Sequence, residues 1–325
     1  MRRRELITLV GGAVAWPLAV RAQQPAVPVI GYFSGRSPDA EVPLRTPFLK
    51  ALAESGFVIG QNVAIDFRFA EGRYDGLSML AAELVRQPVT TLVATDISSA
   101  LAAKAATATI PIIFGTGLDP VQTGLVASLN QPGGNATGVS VFVSELGPKR
   151  LGLLRELLPQ PGLIGFVVDP NNSSTPPQLK EVQAAAQAIA QPLLVVNAGT
   201  EREIDEAFAT IAQRRVAGVL FGTSPFYQVV RHRLTALAAR YGLPAMYEWR
   251  EFVTAGGLMS YNPSRNELGW QLGHYAGRIL KGEKPADLPV VQSSRFELVI
   301  NLNTAKALGL EVPATLLARA DEVIE

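Results

Sequence analysis

The chain has no cysteine and only two histidines among its 325 residues. The first absence excludes a disulfide framework, a thiolate nucleophile and an iron–sulfur centre. It also argues against a lipid anchor, which needs an acceptor cysteine at the mature N-terminus. The histidines, His232 and His274, sit inside helical patterns, in neither His-x-x-x-His nor Glu-x-x-His spacing, so no metal motif forms around them. Other signatures of catalysis are missing too. Gly31 to Gly35 is not a G-x-S-x-G nucleophile elbow, no G-x-G-x-x-G follows the first strand, and no Walker motif occurs. Nothing calls for a cofactor, and the chain does not read as an enzyme. Charged residues are scarce at 18%, and Arg214-Arg215 is only a local basic pair, so no nucleic-acid partner is implied.

What is present begins with an export leader, residues 1–22. Arg2, Arg3 and Arg4 precede an apolar run from Leu6 to Leu18, and Val20 and Ala22 take the small-residue positions before a cut ahead of Gln23. Arg3-Arg4-Glu5-Leu6-Ile7 approximates the twin-arginine pattern, with Thr8 departing from it, so twin-arginine and general secretory export both stay open. The run is short of the ~20 residues a permanent span needs, and Pro17 interrupts it. A periplasmic product follows. The formal net charge is +1, of which the leader's four arginines and one glutamate supply +3, leaving a mature chain of −2. With 48% hydrophobic residues, two ordinary domains have ample core.

The mature chain alternates β-type runs with amphipathic helices. Strands are expected at 27–33, 62–69, 91–95, 110–114, 163–168, 193–197, 216–221 and 245–247. Helices are expected at 44–54, 77–86, 98–107, 178–190, 203–214 and 227–241. Alternation of this kind argues for parallel sheets with right-handed crossovers, and two sets argue for two doubly wound lobes. The Gly-, Pro- and Asn-rich stretch Leu129 to Gly147 suits one crossover, and Thr254 to Gly257 a second. After Gly257 come an extended 259–263, a helix from about Asn266 to Leu280, a strand Phe296 to Asn301, and a short helix to Leu308 that Asn303 is placed to cap. The lobes then divide as 25–140 with about 256–290, and 141–255 with about 291–325.

Several blocks are long enough to carry a resemblance. Gly133-Gly134-Asn135-Ala136-Thr137-Gly138-Val139-Ser140, Gly256-Gly257-Leu258-Met259-Ser260-Tyr261 and the run from Ile279 to Pro289 are similar to substrate-binding proteins of ABC transporters. The better-known members of that group bind tryptophan or other aromatic amino acids. Phe296 to Leu302, Thr304 to Leu310, Asp119-Pro120-Val121 and Gly124-Leu125-Val126 extend the likeness over essentially the whole mature chain. The resemblance implies a type I periplasmic-binding-protein fold, α/β, with two Rossmann-like lobes on a three-strand hinge.

In such sheets ligands bind beyond the carboxyl ends of the strands, at the switch in strand order. The candidates in the first lobe are therefore Tyr32 and Ser34, then Thr95, Asp96, Ser98 and Ser99, and Thr116 between two glycines. Asp96 and the two serines read either as donors and caps around a helix N-terminus that takes a carboxylate, or simply as N-cap grammar. In the second lobe they are Asp169, Asn171, Ser173, Thr223, Tyr227, Tyr247 and Glu248. Asp169 reads equally as an ammonium partner or a turn aspartate, and Phe226, Tyr227 and Tyr247 as rings for stacking. Asp119 reads as a turn residue. Together these suggest a receptor that closes on a small carboxylate ligand, an amino acid and possibly an aromatic one. It would act as a monomer and hand its ligand to an ABC permease in the inner membrane. A sensor subunit presenting its closed form to a receptor kinase is the alternative, and a hydrolase using Asp or Ser at the lobe interface a distant third.

Overall fold

The computed structural model describes residues 27–141, 143–293 and 295–325, so the export leader expected at residues 1–22 lies outside the described residues. The chain opens with β1 (Val29–Ser34), α1 (Pro38–Glu54), β2 (Ala64–Phe69), α2 (Leu77–Val85), β3 (Thr91–Ala94), α3 (Ile97–Ala106), β4 (Ile112–Thr116) and β5 (Ala136–Ser140). It continues as α4 (Val143–Leu157), β6 (Ile164–Val168), α5 (Thr175–Ala188), β7 (Leu193–Asn197), α6 (Glu201–Gln213), β8 (Gly218–Phe221), α7 (Pro225–Val229), α8 (Arg231–Arg240), β9 (Ala245–Tyr247), α9 (Arg250–Thr254) and β10 (Met259–Pro263). Last come α10 (Arg265–Leu280), β11 (Val291–Gln292), β12 (Phe296–Asn301), α11 (Leu302–Ala307), α12 (Ala314–Leu317) and β13 (Glu322–Ile324).

The strands form two sheets, ordered β11-β5-β4-β3-β1-β2 and β13-β12-β10-β9-β8-β6-β7. All pairings are parallel except β12 against β10, where Ser260 faces Val299. Parallel sheets need both faces covered. Each sheet accordingly lies between two apolar clusters, one pair around Val93 and Leu92, the other around Val219 and Leu220. The strand order switches between β1 and β3 in the first lobe and between β6 and β8 in the second, which fixes where each lobe offers a crevice.

The chain passes between sheets three times, after β5, between β10 and α10, and between β11 and β12. Of the two expected crossovers, the first does fall within 129–147, just after Ser140, while the one expected at 254–257 is corrected. The stretch 129–147 contains β5 and the start of α4, because Ala136, Val139 and Val141 supply a buried strand despite the surrounding glycines. Residues 254–257 only turn α9 into β10 within the second lobe. Ser260 pairs with Tyr247 there, so the passage falls after Pro263 and 256–263 belongs to the second sheet. Three smaller readings shift. The helix expected at 44–54 starts at Pro38, because Ser37 caps it through Ala40 N and proline suits a first turn. The helix at 227–241 breaks into α7 and α8 at Val230. The cap of α11 is Asn301, through Thr304 N, rather than Asn303.

α10 packs on α1 through a row of glycines. A Cβ at Gly269 would stand 2.2 Å from the Leu44 carbonyl oxygen, one at Gly273 2.2 Å from that of Phe48, and one at Gly277 2.3 Å from Ser55 Cβ. Only hydrogen at these positions lets the helix backbones meet. α10 is thereby fastened to the first lobe as soon as the chain has crossed back into it.

Candidate functional site

The two switch points face each other across a closed cleft. Between them lies a cavity of about 40 Å³. The first lobe walls it with Arg36 after β1, Thr95 to Ile97 at the start of α3, and Gly115 to Gly117 at the end of β4. The second contributes Asn172 and Ser174 after β6, Thr223 and Pro225 after β8, and Glu248 and Trp249 after β9. Such a volume holds about three water molecules at most.

The lobes hold each other directly. The Tyr74 hydroxyl of the first lobe lies 3.0 Å from Asp169 Oδ2 and 3.0 Å from Ser224 Oγ, and it accepts from Phe226 N at 3.4 Å. Ser98 Oγ meets Ser173 Oγ at 3.3 Å on the exposed rim. The Arg265 guanidinium, at the start of α10, lies 4.2 Å over the ring of Trp249.

Of the candidates read from the sequence, Thr95, Asp96, Thr116, Thr223 and Glu248 line the cavity. Asp96 has little capacity left. Its Oδ1 accepts Ser99 N, its Oδ2 accepts Gly35 N at 2.7 Å, and Ser99 Oγ completes a capping box on α3. Ser99 is therefore a cap. Tyr32 and Ser34 both donate to Glu41, at 2.8 and 3.0 Å, and Tyr32 is packed between Phe48 and Phe67. The Thr116 hydroxyl accepts Leu118 N and fixes its own turn. Asp169 serves the lobe contact, and Asn171 reaches out to Gly199 O at the surface.

The expected stacking rings are elsewhere. Tyr247 is sandwiched between Phe221 at 5.0 Å and Phe252 at 4.9 Å, and Tyr227 meets Phe221 edge-on, all inside the second-lobe core. Burial pushes both hydroxyls upward in pKa. Phe226 packs against Gly72 of the first lobe. Trp249, which the sequence reading did not single out, is the aromatic ring in the cavity wall.

Three buried arginines were also missed. Arg36 Nη1 donates to Glu41 Oε2 at 3.2 Å and to the Thr95 carbonyl at 3.2 Å. Among the described residues, no protein acceptor takes Nη2, on the other edge of its fork. Burial disfavours its charge, yet Glu41, Asp96 and Glu248 overrule that and raise its pKa. Arg150 of α4 donates to Tyr261 O at 2.8 Å, Thr223 Oγ1 at 3.3 Å and Asn262 Oδ1 at 3.2 Å, and burial pulls it down to about 10. Arg265 is likewise lowered by burial. Glu248 faces all three. Burial raises its carboxyl although the arginines and a 3.2 Å hydrogen bond from Gln228 oppose this. The cavity thus offers guanidinium from the first lobe and carboxylate from the second, with the first turn of α3 between them.

The sequence model of a family described as ABC transporter substrate binding protein matches residues 27–324. A protein of Clostridioides difficile named tyrosine-binding protein is 28% identical over 265 residues, 81% of this chain and 76% of that one. The structure of an ABC domain in complex with L-Trp from Streptococcus pneumonia is 26% identical, with a TM-score of 0.83 over 91% of this chain and 99% of that one. The ligand-free, open structure of a substrate-binding protein with adhesive properties from Clostridium difficile is 27% identical, covers 92% and 99%, and scores 0.64. At nearly equal identity the score is lower against the open form, in keeping with the closed lobes here.

Proposed function

This chain belongs to the ABC transporter substrate-binding protein family, with the type I periplasmic-binding-protein fold, and we propose that it closes on a free α-amino acid in the periplasm and delivers it to an inner-membrane ABC permease. One observation carries this reading: the closed cavity sets an Arg36 edge against Glu248 across the lobe boundary. A carboxylate would lie at Arg36 and the first N–H groups of α3, where the helix end adds partial positive charge. An ammonium would lie at Glu248. Each end of the zwitterion then belongs to a different lobe, so binding is worth most when the lobes are together, and the ligand shifts the population towards closure.

The choice of an aromatic side chain rests on the relatives that bind tyrosine and L-Trp, and on Trp249 in the wall. A ring is larger than the present cavity, so Trp249 and the apolar Ile97, Val141 and Leu268 must yield to admit it. The test is calorimetric titration with the twenty amino acids and their deaminated analogues. Binding of tyrosine or tryptophan, lost on removal of the ammonium, is expected. Equal binding of the analogues would overturn the role given to Glu248, and binding of no amino acid would overturn the ligand class.

A further inference from the structure

A single side chain separates the central cavity from a second and larger one. The larger cavity opens where α10 begins and measures about 370 Å³, against about 40 Å³ for the central one. Their walls have one described residue in common, Trp249. The small cavity is taken up by the charged ends of an amino acid and leaves no room for a side chain. Space for a ring therefore has to come from behind a wall residue. Ile97, Val141 and Leu268 have none to give. Each is part of the packed first-lobe core, and pushing one aside means overpacking its neighbours. Trp249 packs with the second-lobe core, but it also backs on to the larger cavity.

No polar tie pins that ring. Among the described residues, Nε1 of Trp249 donates to nothing. The polar residues of the same wall are fastened: Asn172 donates to the Thr223 carbonyl, Thr223 Oγ1 accepts from Arg150, and Glu248 accepts from Gln228. What covers the ring is Arg265 of the first lobe, its guanidinium carbon 4.2 Å from the ring centre. Arg265 is held there by its bond to the Ala40 carbonyl. A cation over a π face is favourable whichever ring lies beneath it, so this guanidinium is a platform for an aromatic group. In the empty, closed chain that group is the protein's own.

We propose, resting on the reading that the central cavity takes an aromatic amino acid, that Trp249 is a built-in plug. It fills the aromatic subsite under Arg265 while the site is empty, and it turns into the larger cavity when the ligand's ring takes its place. Trp249 thereby sets the side-chain specificity: a small amino acid leaves the plug where it is, and an aromatic one has to displace it. Trp249 and Arg265 belong to different lobes, so opening uncovers the ring and frees it to turn before the lobes close again.

Calorimetric titration of the full chain with tyrosine and with alanine, in wild type and in Trp249→Ala, tests this. The readout is the ratio of the two affinities, which cancels any change in lobe closure common to both ligands. The ratio is expected to shift about tenfold towards tyrosine in the variant, because the plug no longer has to leave. A ratio that stays the same, or that shifts towards alanine as the loss of a stacking partner requires, overturns the proposal. Trp249→Leu serves the same comparison if Trp249→Ala does not fold. Fluorescence of the Trp270→Phe chain follows the ring itself, with Trp249→Leu in that background as the blank. Saturating phenylalanine should raise the acrylamide quenching of Trp249 above that of the ligand-free chain. Unchanged or lower quenching overturns the proposal, and this measurement decides alone if alanine binds too weakly to titrate. Failure of the central reading looks different: wild type then binds no amino acid at all.

Discussion

Replacing Tyr74 by phenylalanine should loosen the closed form without touching the cavity. The hydroxyl is the one atom that binds Asp169, Ser224 and Phe226 N together across the cleft. Asp169 keeps Ser224 at 2.7 Å and Asn171 N at 3.0 Å after the change, so no carboxylate is left bare. On opening, the lost partners are resolvated. The net loss is then that of one hydrogen bond to a charged acceptor and a fraction of a neutral one, about 2 kcal/mol. That is a factor of ~30 in the opening equilibrium. Only the closed form grips the ligand with both lobes, so apparent affinity falls with its population. Small-angle scattering of ligand-free wild type and Tyr74→Phe reads the shift directly, as a larger radius in the variant, and titration with the ligand reads its effect on Kd. Unchanged scattering together with an unchanged Kd would show that these contacts do not hold the lobes.

Four further expectations follow from buried groups. Burial lifts the Glu248 carboxyl above its ordinary value of 4.5, so the folded chain retains a proton that the unfolded chain releases, and stability from this group declines as pH rises through that window. Glu248→Gln should therefore raise Tm at pH 8 by about 2–4 °C, with the gain shrinking towards pH 4.5; a pH-independent difference would contradict this. Glu41 runs the other way: burial pushes it up, but Arg36 and the Tyr32 hydrogen bond hold it below its ordinary value, so its contribution is lost as pH falls through that lowered value. Ser99→Ala removes half of the α3 capping box and should cost about 1 kcal/mol in urea denaturation, and an effect on ligand affinity with no loss of stability would restore Ser99 to the site. Gly269→Ala improves helix propensity by about 1 kcal/mol yet drives a methyl into the Leu44 carbonyl, so the net change should be destabilising by about 2 kcal/mol or more; a stabilised variant would mean that α1 and α10 separate freely.

The alternation of patterns was enough to read the two-lobed α/β architecture, because a buried parallel strand such as Ile164 to Val168 needs little beyond its own apolar run. β5 was hidden by the glycines its neighbours demand: a Cβ at Gly138 would stand 1.9 Å from the Phe114 carbonyl oxygen. The strand-end rule found the right edges, but it could not tell which way a side chain turns from there. Tyr227 and Tyr247 turn inward, and Asp96 and Ser99 are consumed by each other. The missed charges did leave a trace. Glu41, Arg150 and Arg265 each stand in phase with a buried stripe, at Glu41-Leu44-Phe48, Arg150-Leu153-Leu157 and Arg265-Leu268-Leu272, and a charge on an apolar face has to be paired.

The triple crossing also governs the order in which this protein can come into being. When synthesis has reached Ser140, five of the six strands of the first sheet exist, but the helix that covers one face of them is still more than a hundred residues away. Val93, Ile113 and Val139 wait for Leu268 and Leu272 of α10, and β5 waits for β11 to take its free edge. The whole second lobe up to β10 is made in between. A nascent chain therefore carries an unfinished, sticky half-lobe through most of its elongation, and contacts this distant in sequence form slowly. Neither half can mature first and template the other; they must finish together, late, when the last fifth of the chain arrives.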